Sequence, residues 1–271
     1  MAESEKEFVS CPICACPYNQ LIAAKVVEGI TFRVVQCCNV ECLHGFVFPL
    51  PTLELLSTIY GQDLLNEYLT DPSTVRANTE FFSHLFRVYI PQAFPQPGTL
   101  LDMGAGIGTF VSVAKTFGWR AEGIEINQQS VQWAAEKFGV ELRSDDFYDL
   151  GKHFHPQSID LITLNHVFEH ILDPSSYIQY VRSFLRPDGC ILLSVPNIVS
   201  DDFRRQMPLW SYLHIPAHIS YFSRFSMDAL ILQKARFARG HFEKIFQTSF
   251  PAPTQEEGEG LTSMYRWVCE Q

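Results

Sequence analysis

Six of the eight cysteines of this 271-residue chain fall within its first 42 residues: Cys11, Cys14, Cys16, Cys37, Cys38 and Cys42. Thiolates are soft ligands, and two close pairs brought together hold a tetrahedral zinc ion. "CPIC" supplies Cys11 and Cys14, and "CNVEC" supplies Cys38 and Cys42. Four sulfur ligands leave no coordination position open, so the expected Zn2+ is structural and not catalytic. The second pair has three intervening residues where ribbons commonly have two. Cys37, Cys16 and His44 stand nearby as further donors, and the spacing leaves the choice between Cys37 and Cys38 open. Buried, reduced cysteines without metal are the plainer alternative.

A second constellation is "LLDMGAGIGTF", residues 100–110, which has the form D-x-G-x-G-x-G through Asp102, Gly104, Gly106 and Gly108. A glycine turn after an apolar run lets a ligand lie against the main chain. A dinucleotide site wants G-x-G-x-x-G with a pyrophosphate on the helix start, but here the sixth position is Thr109. An acid ahead of the glycines is a poor neighbour for pyrophosphate. It suits the positively charged methionine part of S-adenosyl-L-methionine. Glu125, followed by Ile126, ends the next apolar run about twenty residues on, where a carboxylate accepts ribose hydroxyls. Asp145, Asp146 and Phe147 follow a third run. There an acid can take the adenine amino group and an aromatic ring can pack beside the base. Each acid has a plainer reading as a solvated loop or helix cap.

The elements that must position these groups alternate regularly from residue 98. "GTLLDMG", "RAEGIEI", "VELRSDD", "IDLITLNHV" and "CILLSVPN" read as strands, and "TFVSVAKTFG", "NQQSVQWAAEKFG" and "SYIQYVRSFL" as helices. Asn127 and Gly139 cap the second of these helices. Such alternation implies a mostly parallel sheet covered on both faces, with ligands at the carboxyl ends of its strands. Asp102, Glu125, Asp145, Asp146 and Asn165 all fall at or just past those ends. Upstream, "LIAAKVVEGITFRVVQC" predicts a hairpin turning at Glu28-Gly29 that carries the two cysteine pairs together. Between the two parts, residues 52–70 and 72–93 have helical periodicity, with Asp71-Pro72 as a helix start. Tyr60 and Tyr68 on this connector are minor candidates for a substrate pocket.

Composition narrows the classes. Hydrophobic residues make up 46% of the chain and the formal charge is −10. No basic run is present, which argues against nucleic acid. No apolar stretch reaches the roughly 20 residues of a membrane span. "MAESEKEF" is not a secretory signal, so a cytoplasmic location is expected.

"LLDMGAGIGTF", "GIEI", "DLITLNHVFEHILDP" and "LRPDGCILLSVPN" resemble successive motifs of class I S-adenosylmethionine-dependent methyltransferases. The cysteine module, running into "GFVFPLP", resembles the zinc ribbon found ahead of many bacterial methyltransferase domains. The resemblance implies an α/β, Rossmann-like seven-stranded sheet with helices on both faces and an antiparallel last strand, preceded by a small zinc-ribbon module. "HFEKIFQTSF" and "SMYRWVCE", around the polar loop "PAPTQEEGEG", would supply the last two strands. The expected divisions are 1–50 for the ribbon, 51–94 for a helical connector or lid, and 95–271 for the cofactor-binding domain. Asn165 and His166 would then face the methionyl part or the substrate.

Methyl transfer needs nucleophile, methyl and sulfur held in line, and a base only where the acceptor must lose a proton. His218, in the aromatic stretch "PLWSYLHIPAHISYF" that also holds His214, is the first candidate base, and His166 the second. Glu169 and His170 are read as cap and anchor of the following helix. The leading expectation is methylation of a small molecule: a sugar, a quinone precursor or a lipid-linked metabolite. A ribosomal RNA methyltransferase and a catalytically silent binding protein on the same scaffold are the alternatives.

Overall fold

Glu28 and Gly29 turn the first hairpin, both at positive φ (50° and 76°), joining β1 (Asn19–Val27) to β2 (Ile30–Cys37). The computed structural model that contains it describes residues 9–60, 67–234, 240–250 and 258–269. β3 (Gly45–Phe48) pairs antiparallel with β2, and the fourth strand of this small sheet is β8 (Ser220–Tyr221), far downstream. The close approach depends on Gly45: a Cβ there would meet Ile198 Cδ1 at 2.2 Å and Tyr221 Cβ at 3.0 Å. The ribbon expected within 1–50 therefore takes its last strand from the segment expected in 95–271.

Three helices lead to the main sheet: α1 (Leu53–Tyr60), α2 (Glu67–Thr70) and α3 (Pro72–His84). Asp71 caps α3, its carboxylate accepting from the Ser73 and Thr74 amides. The side chains of Tyr60 and Tyr68 lie outside the described residues, as do 251–257 of the polar loop.

The main sheet runs β5 (Arg120–Ile124), β4 (Thr99–Met103), β6 (Ile159–Asn165), β7 (Leu185–Pro196), β10 (Gly260–Cys269), β9 (Gly240–Phe250). The first four are mutually parallel, and β10 is antiparallel to both its neighbours. Among the described residues six strands thus stand where seven were expected. "VELRSDD" makes only a single parallel bridge, Ile124 to Arg143, flanked by bonds from Arg143 N–H to the Gly123 carbonyl and from Glu125 N–H to the Arg143 carbonyl. Only Val140 and Leu142 of that segment are buried, and Asp146 at once turns the chain by accepting from the Tyr148 amide. Too little apolar surface is left to hold a longer edge strand.

Helices α4 (Thr109–Thr116) and α5 (Gln128–Phe138) cover one face, with the end of α3. α6 (Pro174–Arg182) packs on the other face, with α8 (Arg224–Asp228) and the helical turn that follows it. Between β7 and β8 the chain forms a short helix, α7 (Asp201–Gln206), and then the aromatic stretch around Trp210. No helix among the described residues is long and apolar enough to cross a membrane.

Candidate functional site

The glycine turn sits at the carboxyl end of β4. Gly104, Gly106 and Gly108 have φ of 68°, 53° and 78°, left-handed values at which a side chain is strained. At Gly104 a Cβ would also strike Val167 Cγ2 at 2.4 Å. At Gly106 it would meet, among the described residues, only Leu69 Cδ1, at 3.9 Å, so these residues leave the main chain open to an approaching molecule there. Gly106 N–H donates to Glu125 Oε2 and Asn127 N–H to Glu125 Oε1, both at 2.8 Å. Two bonds pin the buried carboxylate, and its remaining lone pairs stay able to accept two hydroxyls. Ile126 beside it is 62% exposed, an apolar side chain next to the turn.

Asp102 is buried behind the turn. Its Oδ1 accepts from Thr163 Oγ1 at 2.6 Å and Asn165 Nδ2 at 3.1 Å. Burial pushes its carboxyl up to about 7, against the pull of those two bonds. Phe147 packs beside Gly104, and Asp146 has its turn-capping role. Asn165 Oδ1, at the end of β6, and Thr109 Oγ1, at the start of α4, are buried without a partner among the described residues. Open main chain, pinned carboxylate and orphaned polar atoms together fit a polar nucleoside ligand such as S-adenosylmethionine.

His166 follows β6 at φ 53°, an uncommon conformation for a side-chain-bearing residue. Its ring is half exposed, stacks on Tyr212 at 5.9 Å, and places Nδ1 3.3 Å from Glu169 Oε1. Glu169 is not the cap of the next helix; Asp173 is, through the Ser176 amide. Glu169 lies in a buried turn, Phe168–His170. Burial opposes its charge, but the hydrogen bond and charge of His166 lead the effects that outweigh burial and hold its carboxyl down near 2. His218 is also not where a free-standing base would be. It is 5% exposed, packed edge-on to His170 and face-to-face with His214, each at 4.7 Å. Burial drives its pKa down to about 3, so the ring is neutral and a weak base. The sequence patterns did not signal that Glu169 and four histidines would share one locality, because the aromatic stretch returns to the β6 end only through tertiary pairing.

At the ribbon, the structure puts Cys37 in the place expected for Cys38. Cys11, Cys14, Cys37 and Cys42 offer sulfurs all within 4.8 Å of one another, whereas Cys38 is exposed. The pleat of β2 explains the choice. Cys37 ends the strand pointing inward, its amide bonded to the His44 carbonyl, and the next residue must face out. Cys11 and Cys42 sulfurs lie 3.8 Å apart, and Cys14 and Cys37 sulfurs 3.5 Å. A tetrahedron with Zn–S bonds of about 2.3 Å has edges of about 3.8 Å. The Cys42 hydrogen bond pulls the Cys11 thiol down to about 5. The same bond, with burial, pushes Cys42 up, and burial pushes Cys37 up. The Cys11 thiolate forms readily, and Cys37 and Cys42 need a cation to ionise, which is the behaviour of a metal-binding set.

The ribbon also grips the histidine segment. Val47 N–H donates to the Ile219 carbonyl at 2.9 Å, and Ile219 N–H to the Glu169 carbonyl at 2.8 Å. Ser223 Oγ donates to the Cys42 carbonyl at 2.5 Å.

Comparison with known proteins gives a family. The family model described as a methyltransferase domain matches residues 74–237, more than half of the chain. A ubiquinone biosynthesis O-methyltransferase of Actinobacillus pleuropneumoniae is 29% identical over 106 residues, 36% of this chain and 45% of that protein. One from Neisseria meningitidis is 26% identical over 132 residues, 46% of this chain and 52% of that protein. The chain thus spans about half the length of these curated relatives. Among solved structures, 1,6-didemethyltoxoflavin-N1-methyltransferase of Burkholderia thailandensis superposes with a TM-score of 0.59 at 17% identity, covering 90% of this chain and 99% of that one. Phosphoethanolamine N-methyltransferase 1 of Haemonchus contortus gives 0.60 at 17%, covering 81% and 50%. At these identities the structural likeness is one of fold.

Proposed function

The chain belongs to the methyltransferase domain family, and from that premise we propose that it moves a methyl group from S-adenosylmethionine to a small organic acceptor. The observation that carries this reading is the bare glycine turn tied to Glu125 through the Gly106 amide. Glu125 and Ile126 would hold the ribose and flank the base, with Phe147 beside the turn. The sulfonium supplies a methyl group already activated by its charge. The chain's own task is to hold the partners in line, keep water out and receive a proton where the acceptor carries one.

His166 is the residue in this reading that takes the proton. Nδ1 faces Glu169, so a proton held there is stabilised by a buried carboxylate and Nε2 is left as the basic atom. The stack on Tyr212 fixes the ring plane. His218, neutral and enclosed, is reassigned from base to support of this locality. The ribbon carries a structural zinc on Cys11, Cys14, Cys37 and Cys42, and its edge holds the segment 218–223 in place. The aromatic content around Trp210 and Tyr212 suits an organic acceptor, and the O-methyltransferase names of the relatives fit one with a hydroxyl group.

Titration calorimetry tests the reading. S-adenosylmethionine or its demethylated product should bind, and NAD should not bind comparably. Equal affinity for NAD, or none for either methionine derivative, overturns it. A metabolite screen with methyl-labelled cofactor and mass-spectrometric identification of labelled products then names the acceptor.

A further inference from the structure

Glu169, His170 and His218 bring one ligand atom each within 4.8 Å of one another, apart from the cysteine cluster. Glu169 is 0% exposed, and among the described residues its carboxylate meets His166 Nδ1, 3.3 Å from Oε1, and has no other hydrogen-bond partner. His218 Nδ1 is likewise buried and without a partner. A carboxylate and an imidazole enclosed in this way are costly unless something positive joins them.

His170 supplies an independent sign. Its Nδ1 lies 3.0 Å from the Ala217 carbonyl, an acceptor that obliges Nδ1 to carry the proton. The lone pair then sits on Nε2. A metal-ligating histidine commonly donates its other ring N–H to a backbone carbonyl in this manner. The carbonyl belongs to the residue next to His218, and Ile219 N–H bonds to the Glu169 carbonyl, so the two segments are locked in register around the three side chains.

We propose that Glu169, His170 and His218 form a second cation site, two imidazoles and one carboxylate, for a divalent transition-metal ion. Imidazole with carboxylate suits the borderline ions of the zinc, cobalt and iron group, unlike the all-sulfur ribbon set. Bonds of about 2.1 Å span ligand pairs up to about 4.2 Å apart, and side-chain torsions close the remaining gap. Three protein ligands leave coordination positions open, as in catalytic and not structural sites. The open side is toward partly exposed His170 and half-exposed His166. If the methyl-transfer reading holds, on which this last step rests, the ion would take an acceptor oxygen. The acceptor would then be a hydroxyl compound, best one with two neighbouring oxygens able to chelate, whose ionisation the cation favours.

The test uses the full chain with zinc left on its cysteines, dialysed against Co2+ and analysed for both elements. About one cobalt per chain is expected beyond the zinc, with weak visible bands and no thiolate charge-transfer absorption. Glu169→Gln and His218→Asn should abolish cobalt binding and keep zinc. His170→Gln, a partly exposed position, serves if those two fail to fold, and should weaken cobalt at least 10–100-fold, roughly the effect of losing even a supporting group. Wild-type chain that takes up no cobalt overturns the proposal. So does cobalt bearing sulfur charge-transfer bands, or undiminished cobalt binding in His170→Gln. Calorimetry of S-adenosylmethionine on the same samples separates the two ideas: cofactor binding without cobalt binding sinks the cation site alone, and cobalt binding without cofactor binding sinks methyl transfer alone.

Discussion

The cysteine cluster and the carboxylate-histidine cluster differ in how they are assembled. The four thiols come from two short knuckles joined by one hairpin, so their convergence is local and survives as long as the hairpin closes. Glu169 and His170 meet His218 only because β6, β7 and the return through β8 bring distant chain together; His170 and Ala217 are 47 residues apart along it. The first set is soft, fourfold and closed. The second is harder, threefold and open on one side. On the proposed roles, the stabilising metal sits where convergence is local, and the chemistry that needs placement sits where the whole sheet defines it.

The largest effect should come from Cys37→Ser. Elemental analysis should show the cysteine-bound zinc lost, and the ribbon should unfold, since structural zinc in small modules contributes on the order of 10 kcal/mol. Cys38→Ser should change neither. Because Ile219 joins the ribbon to Glu169, Cys37→Ser should also slow turnover while cofactor affinity stays nearly unchanged. Lost cofactor binding would show that the two regions are not separable in the way described.

His166→Ala should lower turnover by roughly 10²–10⁴-fold with cofactor affinity retained, measured by steady-state assay and calorimetry. Near-normal turnover in this variant would move the base elsewhere or remove the need for one.

Asp102 sharpens the contrast through pH. Its folded value near 7 lies above its ordinary 3.8, so the folded state holds a proton that the unfolded state gives up. The stability linked to it is complete below about 4 and is lost as pH rises toward 7, on the order of 4 kcal/mol. Denaturant unfolding across that window should show the slope in wild type and lose it in Asp102→Asn. A persisting slope would assign it to other groups.

The smallest effect is expected from Glu125→Ala, which removes the acceptor of two amides and of the ribose. Cofactor affinity should weaken by roughly 1–3 kcal/mol in calorimetry. Unchanged affinity would take Glu125 out of the site.

Much of the fold was legible because it is written in local chemistry. Glu28-Gly29, Asp71-Pro72, Asn127 and Gly139 mark turns and caps through backbone preferences that act over a few residues. The glycine turn was legible for the same reason: three left-handed positions in alternation need three glycines. The expected seventh strand reduces to the single bridge at Arg143, because alternation in "VELRSDD" cannot say whether an edge has enough apolar surface to hold. The spacing leaves Cys37 and Cys38 undivided because it counts residues and does not register which way the pleat of β2 faces at its last position.

By itself, then, the sequence determined which groups were available and where the chain would turn, since those follow from side-chain chemistry and short-range backbone energetics. It determined the cysteine module, the glycine turn and Glu125 at the next strand end. Only the tertiary structure decided that His218 is enclosed, that Glu169 is a buried carboxylate among histidines and not a helix cap, and that the ribbon is completed by β8. Those outcomes depend on burial and on pairing between distant segments, and the free energy of a carboxylate or an imidazole is set by what surrounds it, not by its neighbours in the chain.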